Sequence, residues 1–199
     1  DGYLLRNFVS AGVPCLGIEP TASTADAAER LGIPVLHEFF GEALGRRLAD
    51  EGRQADLLIG NNVFAHVPDI NDFSRGLKAV LKPGGTLTLE FPHLLRLIEL
   101  VQFDTVYHEH FSYLSLYSAQ RILESVGLRI FDVEELPTHG GSLRLFACHA
   151  DDPRSINPNV AVVLEAEAQA GLRALSTYRE FQARANRVKD DLLTFLIEQ

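Results

Sequence analysis

From the first residue to about Ala150, short apolar, β-prone runs alternate with longer amphipathic ones. This is the pattern of strands and crossover helices in a mostly parallel sheet. Six runs read as strands: "VPCLGIEP", "IPVLHEF", "ADLLIGNN", "GTLTLEFP", "LRIFDVEEL" and "SLRLFACHA". They are nearly continuous in apolar residues, as expected where helices cover both faces of a sheet. Helical periodicity falls between them at 3–10, 23–31 (behind a Ser/Thr cap), 41–51, 70–81 and 117–126. The "KPGG" at 82–85 predicts a helix stop and a tight turn, since proline ends the helix and glycine takes the positive φ that follows.

After "DDPRSINPN" the character changes. Residues 160–199 are helical by periodicity and strongly charged, with no proline and no glycine beyond Gly171. They read as one long helix or a helix pair, an amphipathic arm that packs on the domain or on a neighbour. The expected organisation is an α/β core at 1–152 followed by a helical extension at 153–199. No internal repeat or low-complexity segment interrupts it.

Composition narrows the function classes. At 199 residues the chain holds one domain with a substantial core, or a domain with a helical appendage. Its 23% charged and 46% hydrophobic residues are ordinary for a globular protein. No segment reaches the roughly 18 apolar residues that cross a bilayer. A net charge of -9 without a run of Lys and Arg argues against nucleic acid as partner and favours a small molecule. The two cysteines, Cys15 and Cys148, lie in apolar runs, which suits free thiols in a reducing, cytoplasmic setting. The chain contains no Met and opens without an export signal, so it is expected to be part of a longer polypeptide.

Glu19 closes the "CLGIE" strand. In open parallel sheets ligands bind at the carboxyl ends of strands, where an acid accepts both hydroxyls of an adenosine ribose. The competing reading is that Glu19 caps the next helix. Such an acid follows a glycine-rich loop by about 20 residues, and Asp1 and Gly2 stand where the tail of that loop belongs.

The stretch "DLLIGNNVFAHVPDINDFSRGLKAVLKPGGTLTLEFP" runs from a strand ending in Asn61 and Asn62, through a turn with His66, to a helix and another strand. It resembles the fourth-to-fifth-strand region of class I S-adenosylmethionine-dependent methyltransferases. "NNVFAHVPD", "FDTVYHEHFSYLSL" and "THGGSLRLF", in this order, closely resemble the sugar C-methyltransferases that act on nucleotide-linked 4-keto-deoxysugars. The resemblance spans almost all of 1–150. It implies a class I (Rossmann-like) sheet with helices on both faces, S-adenosylmethionine as cofactor held by Asp1, Gly2, Glu19, Asn61 and Asn62, and methylation at carbon 3 of the sugar. A complete relative also carries an N-terminal zinc-binding lobe, a full "GSNDGYLL" loop and a further C-terminal α/β domain; of these only "DGYLL" is in this chain, so any zinc is expected outside it.

A carbon next to a ketone must lose a proton before it attacks a sulfonium methyl, so the site needs a base near neutral pKa and a group that stabilises the enolate oxygen. The resemblance places the base on His110, with Tyr107 and Glu109 around the sugar and His66 across the pocket. Tyr107 or His66 can donate to the oxyanion, and Glu109 can orient a histidine or hold a sugar hydroxyl. If residues 107–110 are extended, Tyr107 and Glu109 face one side and His108 and His110 the other, so one of the four is structural; the family pattern makes that His108. A loop would relax this constraint.

A competing chemistry is a zinc site built from His108 and His110 with His139 or His66. Against it, the helical ligand spacing of two His four apart with an intervening Glu is absent, and so is a cysteine cluster. In "THGGSLRLF", Gly140 and Gly141 beside His139 permit close approach to a ligand, and Arg144 can meet phosphate; Arg96 is a second candidate. An acidic protein needs such local charge to hold a nucleotide diphosphate. Two other functions stay open: a methyltransferase for another small acceptor, and a noncatalytic α/β binding module.

Overall fold

A computed structural model describes residues 2–198. Among them the order is α1 (Leu5–Ser10), β1 (Gly17–Ile18), α2 (Ala22–Glu29), β2 (Val35–Leu36), α3 (Glu42–Asp50), β3 (Ala55–Asn61), α4 (Ile70–Val80), β4 (Leu81–Pro92), α5 (Leu94–Glu99), α6 (Leu116–Ser125), β5 (Leu128–Leu136), β6 (Ser142–His149), α7 (Pro158–Gln169) and α8 (Leu175–Ile197). All six expected strands are present. The short α5 was not expected, because six residues are too few to establish a helical period, although Arg96 and Glu99 mark its polar face.

The pairing is mixed rather than mostly parallel. β1 and β2 pair parallel with each other, β3 and β4 pair parallel, and β6 runs antiparallel to both β4 and β5 in the order β3-β4-β6-β5. The reason lies in the connections. β5 reaches β6 through five residues, 137–141, too few for the crossover that a parallel pair requires.

The expectation of strands covered on both faces holds only in part: one face of β4 is fully buried and its other, carrying Thr86, Thr88 and Glu90, is polar and partly covered, while β3 is largely open. Leu87, Leu89 and Phe91 of β4 and Leu143, Leu145 and Ala147 of β6 are fully buried, whereas Leu57 and Ile59 of β3 are exposed. The "KPGG" residues fall inside the span of β4, yet they act as the expected turn. Pairing jumps from Ala55–Leu81 to Leu57–Thr86, so 82–85 bulge out of the ladder with Gly84 at φ 76°.

The core joins these strands to α4, α6 and α7. α3 lies across the other side of the pattern, packing Leu44 and Leu48 with Val80 of α4 against Ile18, Leu36 and Leu58, and so bridges β1, β2 and β3. α3 and α4 cross closely: a Cβ at Gly45 would lie 2.4 Å from the Gly76 carbonyl oxygen. The helical extension is a pair, not one helix, broken at Gly171 with φ 75°. Its first member is no detached arm, since Val160 and Val163 are buried in the main core. α8 buries no residue, although Arg184 donates to the Glu99 carbonyl at 2.8 Å and Phe181 packs beside α5.

Candidate active site

His66 stands on a single 3-10 turn, Phe64–His66, directly after β3. The turn is held in place because Phe64 and Ala65 are buried, Phe64 against Phe73 and Phe91. The imidazole Nε2 of His66 is buried and has no hydrogen-bond partner. Edge-on to it, at 4.7 Å between ring centroids, lies His110. The two reach each other because Phe111 and Ser112 donate their N–H groups to the Ala65 carbonyl at 2.9 and 3.2 Å.

Residues 107–110 form a tight turn closed by His110 N–H to the Tyr107 carbonyl at 3.2 Å. The extended alternation is therefore overturned. A turn superposes its first and last residues, so the Tyr107 ring lies 4.4 Å from the His110 ring, and His108 and Glu109 occupy exposed corners. His108 keeps its place outside the cluster, now for a geometric reason. Glu109 is not packed against His110 but still favours its charged form at a distance.

Tyr113 completes the cluster at 5.5 Å from His110, with its hydroxyl 3.5 Å from the Tyr107 carbonyl. With Pro92, Leu94 and Thr105, Tyr113 and His110 line a crevice of about 10 Å³, the size of a single water. Burial and the neighbouring His66 push the His110 pKa below the ordinary 6.5, against a hydrogen bond to the Thr105 backbone that favours the charged form. A histidine held neutral near physiological pH is suited to accept a proton. His139 also lowers the His110 pKa through its charge. Among the described residues, the histidines of this cluster do not bring three ligating atoms together; the one grouping that does is Asp26, Glu29 and His37, all exposed.

The "HGG" turn is strained and tightly fitted. His139 has φ 52°, Gly140 φ 77° and Gly141 φ 119°. A Cβ on Gly140 would meet Gln102, whose Nε2 donates to the Gly140 carbonyl at 2.8 Å, and a Cβ on Gly141 would meet the stem of Arg96 at 2.7 Å. Gln102 thus ties the loop before Tyr107 to this turn, a link no motif announces. A cavity of about 430 Å³ opens beside it, lined by Arg96, Glu135, Pro137, Gly140, Gly141 and Ser142.

The two arginines expected to meet phosphate are already engaged. Arg144 sits between Glu90 (2.8 Å) and Glu134 (3.6 Å), its directly opposite residues on β4 and β5. Arg96 bridges Glu99 and Glu135, both at 2.7 Å. Neither presents an unpaired charge, because acids close on them first: cross-strand ones on Arg144, and on Arg96 one from its own helix and one from β5.

Glu19 lies half-buried one residue past β1, and its Oε1 accepts the Thr21 N–H at 2.8 Å. It therefore serves the start of α2, where the Thr21 side chain makes no cap, contrary to the Ser/Thr cap expected there. Its second oxygen has no hydrogen bond of this kind and lies at a parallel strand end. Asn61 ends β3 and Asn62, exposed at φ 52°, donates its N–H to the Glu90 carbonyl at 2.8 Å. Gly2 adopts φ 77°, and a Cβ there would collide with Ile33 at 2.5 Å. Asp1 lies outside the described residues.

This sheet, with parallel pairs β1–β2 and β3–β4 and an antiparallel β6 set between β4 and β5, is that of a class I methyltransferase fold. Solved structures share it. A SAM-dependent methyltransferase from Anabaena variabilis is 13% identical, with a TM-score of 0.57 over 74% of this chain and 73% of its own. The magnesium protoporphyrin IX methyltransferase of Synechocystis, solved with bound SAH, is 15% identical, with a TM-score of 0.53 over 71% and 66%.

The chain belongs to the methyltransferase-domain family, whose model matches residues 1–133; residues 137–199 match the C-methyltransferase C-terminal domain. The C-methyltransferase NovU of Streptomyces niveus is 38% identical over 188 residues, 94% of this chain and 45% of that protein. The chain thus spans less than half the length of this relative. Among the described residues no helix is long and apolar enough to cross a membrane.

Proposed function

We propose that this chain is the catalytic portion of an S-adenosylmethionine-dependent C-methyltransferase that methylates carbon 3 of a nucleotide-linked 4-keto-deoxysugar, with His110 as base. One observation carries the reading: His110 borders a small crevice, packed among His66, Tyr107 and Tyr113, with its charged form disfavoured by burial and by His66, and a sugar enters only where these rings part. The likeness to NovU and to the C-methyltransferase C-terminal domain supports methylation at carbon.

The residues fit the cofactor, since the free Glu19 oxygen and the Asn61–Asn62 strand end supply acceptors for hydroxyls beside the turn at Gly2. S-adenosylmethionine, when bound, would supply a methyl group that passes to the deprotonated carbon 3 as its bond to sulfur breaks, the electron pair staying on the sulfur of S-adenosylhomocysteine. His110 accepts the proton from that carbon as the electron pair moves onto the ketone oxygen. His66 has an Nε2 without a partner, closed off in this structure, which donates to that oxygen once the substrate parts the rings around it. Tyr107 packs its ring on His110 and fixes the imidazole plane, while Glu109 at the turn's corner holds a sugar hydroxyl from the solvent side. His139, Gly140 and Gly141 form the wall against which the nucleotide end lies, the two glycines because any side chain would strike Gln102 or Arg96. Arg144 and Arg96 join the diphosphate only by sharing their carboxylate partners.

The test is product analysis. Full-length protein incubated with S-adenosylmethionine and a 4-keto-deoxysugar nucleotide should yield a sugar heavier by one methyl, bonded to carbon 3 by NMR. A methyl on oxygen or nitrogen would overturn the assignment. Cofactor binding without any turnover on keto sugars would point instead to another acceptor.

A further inference from the structure

The reading above uses nothing from the helical extension, yet a carboxylate of that extension is buried beside the site. Glu167 of α7 is 1% exposed, as is His93, and Glu167 Oε1 lies 2.8 Å from His93 Nε2. The same carboxylate accepts the N–H of Leu116 at 2.5 Å and of Tyr117 at 3.0 Å. These are the first two residues of α6, whose third N–H, of Ser118, goes to the Ser115 side chain. A helix leaves its first N–H groups without internal partners, and here side chains satisfy the first three. An acid at a helix N-terminus also meets the positive end of the helix dipole. Burying a carboxylate is costly unless every lone pair is engaged, so this one is held in a single place.

That place is connected to His110. The segment from His110 to α6 is pinned at three points. Its start is fixed by the Ala65 carbonyl, next to His66, and its middle by Leu114, whose carbonyl accepts the Leu94 N–H at 3.0 Å beside His93. Its end is fixed by Glu167. His93 itself links Pro92 and Leu94, which line the crevice with His110. Its bond to the carboxylate places the ring proton on Nε2, and its Nδ1 is buried without a partner.

We propose that Glu167, acting with His93, is a positioning residue for His110: it sets the length and register of the 111–117 segment, so that the helical extension determines how the base meets the sugar. The proposal rests on His110 being the base. Its consequence is selective. Losing the anchor should slow proton removal while leaving the strand-end contacts of Glu19 and Asn61 as they are, because those lie just past β1 and at the end of β3.

The experiment measures, in full-length protein, deuterium uptake at carbon 3 of a 4-keto-deoxysugar nucleotide together with S-adenosylmethionine affinity, for wild type, Glu167→Gln, His93→Gln and His110→Ala. Glu167→Gln should slow uptake by about tenfold to a hundredfold, the scale of a displaced reacting group, and lower kcat more than it raises KM. Cofactor affinity should stay within about twofold, below the shift expected from a contact at the site itself. Unchanged uptake in folded Glu167→Gln overturns the proposal, as does an equal loss of uptake and cofactor binding. If Glu167→Gln does not fold, His93→Gln carries the same comparison; if neither folds, the pair is only structural and the proposal fails. His110→Ala separates the two readings: wild-type uptake in that variant removes the base assignment, whereas loss of uptake there with none in Glu167→Gln removes only the positioning role.

Discussion

β1 and β2 pair over two residues each and offer Glu19 from a half-exposed strand end, while β4, β6 and β5 form a long antiparallel ladder with fully buried Leu87, Leu89, Leu143 and Leu145. The same contrast runs through the polar groups. On the first side Glu19 has one backbone partner and is open to solvent; on the second, Glu90 is tied to Arg144 and Thr138, and Glu167 to His93 and two backbone N–H groups. The comparison teaches that this protein locks the carboxylates of its long ladder and of α7 by burial and multiple hydrogen bonds, and leaves the β1–β2 side lightly built. Positional precision matters most where a proton leaves carbon, since small displacements there are amplified in rate.

The contrast can be broken most severely at the base. His110→Ala should lower turnover by about 10²- to 10⁴-fold, the range for a general base, with S-adenosylmethionine affinity nearly unchanged in a titration; a proportional loss of both would mean that the two sides are not separable. Next in size is stability. Leu89→Ala removes a fully buried side chain and should cost about 2–5 kcal/mol in chemical denaturation. Ile59→Ala on exposed β3 should cost less than about 1 kcal/mol, as surface changes do. Equal losses would contradict the contrast. Gly141→Ala meets both a positive φ of 119° and the Arg96 stem, so it should raise the KM for the nucleotide sugar by about tenfold, the equivalent of ~1.4 kcal/mol, with little change in cofactor affinity.

The smallest effect is in pH dependence. A histidine accepts a proton only when neutral, and the His110 pKa is lowered from 6.5, so if His110 is the base the acid limb of kcat/KM should fall below pH 6.5. His66→Gln removes a charge that pushes this value down and should move the limb upward, toward 6.5. The same shift has a stability sign: the unfolded chain binds this proton more readily, so the contribution is complete above pH 6.5 and is lost as pH falls through the lowered folded value. A wild-type limb above 6.5 would contradict the burial of His110.

Much of this was legible in the amino-acid pattern because it is local. The six strands, α3, α4 and α6 follow from runs of apolar residues with period and breakers, and the histidine cluster follows from motifs that resemble a family. What escaped depends on tertiary contact. The turn at 107–110 was hidden because four polar residues have no apolar period to mark strand or loop, and so Tyr107 pairs with His110 rather than with Glu109. The engagement of Arg144 by Glu90 and Glu134 required the register of three strands.

Glu167 did leave a signal. It lies on the same stripe of α7 as buried Val160 and Val163, at helical spacing, and an acid on an apolar stripe demands a buried partner. Tyr113 left none, since an aromatic residue three positions from His110 reads as core until the loop is folded.

The central claim is that His110 removes a proton from the carbon beside the ketone. Deuterium uptake at carbon 3 of a 4-keto-deoxysugar nucleotide, followed by NMR in heavy water with full-length protein and no methyl donor, measures that step alone. Uptake should be rapid with the wild type and fall to the enzyme-free rate with His110→Ala. Undiminished uptake in that variant, folded and still binding S-adenosylmethionine, would contradict the account.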